Sequence, residues 1–125
     1  MAHEIEVLDS GVVKVTHSGR MTIVEASASR TEAAAIMKEL GLVLILADVS
    51  QTDHDETTTD LYEFNSSHYD VFPPRSRLAV VIPPVPEQAA SARFAETVAL
   101  NRGIRMKIFL TCDEALMWLT AAAGD

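Results

Sequence analysis

Asp53, His54, Asp55 and Glu56 are followed at once by Thr57, Thr58 and Thr59, so seven consecutive residues offer carboxylates, an imidazole and hydroxyls. Two kinds of chemistry use such groups. Carboxylates beside an imidazole can hold a divalent cation. Hydroxyls at a helix start can carry phosphate, which the helix dipole and the free amides of the first turn stabilise. The spacing argues against the cation. An EF-hand loop beginning at Asp53 requires Gly at 58 and Glu at 64, and the chain has Thr58 and Phe64. Zinc would want Cys or more His close by. No metal and no cofactor are therefore expected. The same residues also have a plainer use, because Thr and Asp cap helices and Glu suits the first turn. A solvated acidic loop and a phospho-switch at Thr57 or Thr58 both stay open, with the nearby acids opposing the phosphate.

That loop sits in an unusual electrostatic stretch. No Lys or Arg occurs between Lys38 and Arg75, and eight acids do: Glu39, Asp48, Asp53, Asp55, Glu56, Asp60, Glu63 and Asp70. The chain has 18 acids, 10 Lys plus Arg and a formal net charge of -8, so without those eight acids it would be neutral. The excess belongs to one segment, which opens with the apolar run Leu42-Val-Leu-Ile-Leu-Ala-Asp48. A buried strand leading into a polar loop is where α/β proteins place their working surface.

Other residues give weaker signals. Leu61, Phe64, His68 and Phe72 recur at near-helical spacing, with Tyr62 and Tyr69 to one side. His68 is either a satisfied core residue or, with Tyr62, Tyr69 and Phe72, a wall of a pocket for a small apolar ligand. Cys112 stands at a predicted helix start, which lowers a thiol's pKa, while Asp113 and Glu114 oppose the thiolate. Arg75 and Arg77, beside the Pro73-Pro74 pair, read as solvated or ion-paired at a strand edge. No Ser/His/Asp or Cys/His set follows a known motif, and neither a Walker loop nor a dinucleotide fingerprint is present. An enzyme is not expected.

The elements that must position these residues follow from periodicity and punctuation. Residues 4–8 and 12–17 alternate around Asp9-Ser10-Gly11, the pattern of a β-hairpin. Thr22 and Glu25 have capping-box spacing, and Gly41 can stop the helix over 22–40. Residues 42–49 are too continuously apolar for a half-wet strand and predict a central one. A helix over about 57–70 ends at the proline pair. Leu78–Ile82 is a second buried strand, and Pro86 opens a helix running to about Arg102. Ile104–Leu110 is the last strand, and Thr111 with Glu114 caps a final helix. The order is β-β-α-β-α-β-α-β-α: a five-stranded mixed sheet with four helices packed on it.

Composition sets outer bounds. At 125 residues the chain reads as one domain over 1–125. Hydrophobic content of 48% suits a globular chain. The single Cys fits a reducing compartment, and no basic leader or membrane-length apolar run is seen, so a cytoplasmic protein is expected. The negative charge disfavours nucleic acid and anionic lipid surfaces.

Three stretches resemble the SpoIIAA-like, or STAS-like, family, whose best-known members are bacterial anti-sigma-factor antagonists. They are Glu4-Ile-Glu-Val-Leu-Asp-Ser-Gly-Val-Val-Lys-Val-Thr-His-Ser-Gly-Arg20, Leu44-Ile-Leu-Ala-Asp-Val49, and Ile108-Phe-Leu-Thr-Cys-Asp-Glu-Ala-Leu-Met-Trp-Leu119. The resemblance implies an α/β fold of SpoIIAA-like type and a protein partner. It also implies a phosphorylated Ser in an Asp-Ser-Ser-Gly type motif. Here Glu56 aligns with the Asp, Thr57 and Thr58 with the serines, and Thr59 stands where the glycine would be. Asp53, His54 and Asp55 replace the apolar residues that precede the motif. The expected function is a non-enzymatic regulatory or scaffolding module that binds a protein through the acidic loop and the 57–70 helix. The alternative is a carrier or sensor of a small apolar ligand, since lipid-binding CRAL-TRIO domains share the fold class.

Strand order carries one more expectation. Parallel strands that step always in one direction place their right-handed crossover helices on one face. The other face then needs cover, from a doubly wound arrangement, a ligand or a second subunit. A homodimer is expected on that ground.

Overall fold

The structure, a computed structural model, describes residues 2–54, 71–73, 75–82 and 105–121. Within them lie β1 (Ala2–Val7), β2 (Val12–Met21), α1 (Ile23–Leu40), β3 (Leu44–His54), β4 (Arg77–Val81), β5 (Arg105–Phe109) and α2 (Cys112–Ala121). The helices expected over 57–70 and 86–102 lie outside the described residues.

The sheet runs β1-β2-β3-β4-β5, with β1 antiparallel to β2 and every later pair parallel. The hairpin turns where Gly11 adopts φ 87°, with its amide donating to the Leu8 carbonyl at 2.9 Å. α1 starts at Thr22, whose hydroxyl accepts from the Glu25 amide at 3.2 Å. It stops at Gly41 in the left-handed region, where the Gly41 and Leu42 amides close on the Met37 carbonyl. α2 opens with the expected box: the Glu114 amide donates to Thr111 Oγ1 at 3.2 Å, and that hydroxyl donates to Glu114 Oε1 at 3.1 Å.

The run 42–49 does supply the central strand, which begins at Leu44 and continues to His54. It can do so because β2 extends to Met21 and pairs with it, Arg20 opposite Asp53 and Met21 opposite His54. The register changes on the way. Thr16 faces Asp48 but Ser18 faces Gln51, so β3 carries one extra residue, a β-bulge.

Strand parity builds two cores. On one face Val13, Val15, Ile45, Leu78 and Met106 pack under Ala33, Ala34 and Met37 of α1. On the other, Val12, Leu46, Ala79 and Val81 pack under Ala115 and Leu119 of α2. The strands do step in one direction, yet both faces of the central strands are covered from within the chain. α2 follows the last strand, so no crossover dictates its side of the sheet. The expectation of a second subunit rested on an open second face, and over β2–β4 that premise lapses.

Leu119 is fully buried while Met117, two residues earlier, is 68% exposed. Leu119→Ala should destabilise the fold by about 2–5 kcal/mol, whereas Met117→Ala should stay within about 0.5 kcal/mol. Urea denaturation midpoints of the two variants check this.

Candidate functional site

The bulge in β3 is built around one carboxylate. Asp48 Oδ1 accepts from the Ser50 amide at 3.0 Å and from the Ser50 hydroxyl at 2.6 Å. The Ser50 amide lies where the ladder with β2 is interrupted, and Asp48 gives it an acceptor. Asp48 Oδ2 reaches across the second face and accepts from Cys112 Sγ at 3.3 Å, tying β3 to the first residue of α2. Just past the bulge, the Thr52 hydroxyl donates to the Val49 carbonyl at 2.6 Å. Beyond the bulge the strand continues to Asp53 and His54, in the register that the bulge sets against β2.

The two ionisable groups shift apart. Burial pushes the Asp48 carboxyl up, but the Ser50 hydroxyl and amide, the Cys112 thiol and the Lys14 charge more than offset it, and the group sits below its ordinary range. Burial pushes the Cys112 thiol up, and the hydrogen bond to Asp48 and its charge push it further. The helix start therefore does not produce a reactive thiolate. The chief opposing charge is Asp48, with Asp113 adding less.

A second polar cluster lies on the α1 face. His17 Nε2 is 2.9 Å from Ser29 Oγ, and both residues are buried. The His3 ring lies 5.6 Å from that of His17, and His3 Nε2 is 3.2 Å from Glu32 Oε2. A hydroxyl beside an imidazole is the arrangement of an activated nucleophile. Here the Ser29 hydroxyl has a second partner, the Ala26 carbonyl at 3.1 Å, as an acceptor for its proton. Burial also keeps substrate away, and the pair acts as a polar joint between β2 and α1. No motif announces it, but register does: His17 continues the helix-facing series Val13, Val15, and Ser29 lies one turn before Ala33 on the buried face of α1.

Of the residues singled out from the sequence, Asp53 and His54 are placed by backbone alone, at the end of β3 opposite Arg20 and Met21. Asp55, Glu56, Thr57, Thr58, Tyr62, His68 and Tyr69 lie outside the described residues. Phe72 is buried in the core under α1. No group of three or more His, Cys, Asp or Glu positioned for a metal occurs among the described residues. Arg75 is exposed, in a left-handed conformation at φ 68°. Arg77 departs from expectation. It stands on β4, an interior strand, half-buried with its guanidinium 5.6 Å over the Trp118 ring, and it makes no ion pair among the described residues.

This arrangement of sheet and helices matches known structures. An anti-sigma factor antagonist from Mycobacterium paratuberculosis superposes with a TM-score of 0.67 at 18% identity, over 94% of this chain and 92% of that one. An uncharacterized protein from the DUF3478 family, from Shewanella loihica PV-4 and described as having a SpoIIAA-like fold, gives 0.56 at 18% identity over the same shares. The fold is SpoIIAA-like. No protein-family model and no curated protein matches the sequence. The central strand of that sheet, β3, ends at His54. No helix among the described residues is long and apolar enough to cross a membrane.

The shifted pair has a signed consequence. Asp48 has a lowered pKa in the folded chain, so its stabilisation is full above the ordinary carboxylate range of about pH 4 and fades as pH falls through the folded-state value. Cys112 has a raised pKa, so its share is full below about pH 8.5 and fades as pH rises through the folded-state value. Cys112→Ala should raise the Asp48 pKa, read from the carboxyl carbon shift in an NMR titration. Cys112→Ser, which keeps a donor, should raise it less.

Proposed function

We propose that this chain is a non-enzymatic, cytoplasmic regulatory module that binds a protein partner through the loop Asp53, His54, Asp55, Glu56, Thr57 and Thr58 and the helix predicted after it. The observation that carries the reading is the delivery of that loop. β3 is the central strand, its Asp48 bulge is tied to the start of α2, and the sequence that follows the bulge holds six of the eight acids responsible for the net charge: Asp53, Asp55, Glu56, Asp60, Glu63 and Asp70. Recognition by a basic surface on the partner follows from charge complementarity, which mainly sets specificity and association rate. The likeness to an anti-sigma factor antagonist supports a regulatory partner. The burial of the His17–Ser29 pair and the raised Cys112 thiol favour binding over chemistry.

Thr57 and Thr58 would tune the contact. A phosphate there adds about -1.5 to -2 charge to an already acidic loop. It strengthens attraction to a basic partner that has room for it and disrupts a close fit.

Charge reversal tests the proposal. Immobilised chain should retain a partner from native lysate at low salt, and the triple variant Asp53→Lys, Asp55→Lys, Glu56→Lys should lose it with its thermal melt unchanged. Retention of the same proteins by both would overturn the reading. Intact-mass measurement after incubation with lysate and ATP should show phosphate on the wild type and none on Thr57→Ala, Thr58→Ala.

A further inference from the structure

The face of the sheet that carries α2 holds a basic and aromatic row. Arg77 and Arg105 are Cα partners on adjacent strands, and Ala79 pairs with Lys107 one step on. Strand parity therefore puts Arg77, Arg105 and Lys107 on one face, the face of Ala79 and Val81 under α2. Lys107 Nζ lies 5.8 Å over the Phe109 ring, the Phe109 and Trp118 rings are 5.8 Å apart, and the Arg77 guanidinium lies 5.6 Å over Trp118. None of the three cations makes an ion pair or side-chain hydrogen bond among the described residues.

Cations on an edge strand discourage edge-to-edge aggregation, and that accounts for Arg105 and Lys107. It does not account for Arg77. That residue is on an interior strand, its Nη1 is buried with no hydrogen-bond partner, and it sits directly opposite a like charge. A buried unpaired donor and a like-charge cross-strand pair are both unfavourable. An anion bound at the exposed Arg105, beside Arg77, offsets the like-charge pair.

We propose that this row is a docking surface for an extended acidic segment of a protein partner, with carboxylates at alternate positions. β5 is last in the sheet order, and no described strand lies beyond it. A segment laid along that edge gains backbone hydrogen bonds as well as charge contacts, the mode of β-strand addition. Residues two apart on a strand project to the same face roughly 6.5–7 Å apart, the same repeat that separates Arg105 from Lys107. A nucleic acid has no backbone amides for that edge, and the net charge of -8 repels a long polyanion. The surface is opposite in sign to the Asp53–Thr58 loop and does not depend on the reading given for it.

Trp118 is the only tryptophan in the chain, so its emission reports the site directly. The full chain is titrated at low salt with a synthetic peptide of alternating Glu and Val, roughly ten residues long, with oligothymidylate, and by dilution of the chain alone. The expected result is a saturable emission change with the peptide. Binding should weaken about tenfold or more in Arg105→Glu, Lys107→Glu and with added salt. Both residues are exposed, so that variant should keep its thermal melt, and Arg77→Met should lose the response while preserving the stem over Trp118. No saturable change up to about 1 mM peptide, or equal affinity in the double variant, overturns the proposal. A response to oligothymidylate alone replaces the partner with a nucleic acid. A response to dilution alone replaces it with a second copy of the chain.

Discussion

The path of β3 past its middle depends on a single carboxylate in the sheet. Asp48 gathers the Ser50 amide, the Ser50 hydroxyl and the Cys112 thiol, and each donor answers a different structural need. The amide is the one stranded by the bulge. The hydroxyl stiffens the bulge against sliding back into register. The thiol ties the start of α2 to the strand it covers. A one-residue slip in β3 would turn every later side chain to the opposite face, which would put Thr52 and all that follows on the wrong side. The bulge fixes that parity, and Asp48 fixes the bulge.

A carboxylate placed between two apolar cores is held there by its donors. Desolvation works against it, and the sum of three hydrogen bonds and the Lys14 charge overcomes that penalty. The same environment makes Cys112 a proton donor. Its thiol contributes by staying protonated, and a residue that resembles a reactive cysteine in sequence becomes a joint between strand and helix in the fold.

The elements were largely legible from local rules. Thr22, Gly41 and Thr111 cap and stop helices through bonds within a few residues, so their spacing alone predicts them. The central strand was legible because only a strand buried on both faces is apolar at every position, as 44–47 is. Its true length was not, because Ser50–His54 is polar and is held in the sheet by pairing with β2 across the bulge. The contacts that give the site its character were illegible for the same reason. Asp48 and Cys112 are 64 residues apart, and Arg77 meets Trp118 only after β4, β5 and α2 have been assembled. Strand parity could have paired His17 with Ser29, but no short motif could.

The position of α2 also bears on how the chain is made. It is the last described element, and among the described residues it is the helix that packs on Val12, Leu46, Ala79 and Val81. During synthesis the N-terminal hairpin, α1 and β3 leave the ribosome well before it, with one core able to form and the other still bare. Until α2 emerges, a nascent chain of this design lacks the cover that this helix gives to that apolar face. That makes it a client for chaperones over that interval, and truncation within α2 would remove Ala115 and Leu119 from that core permanently.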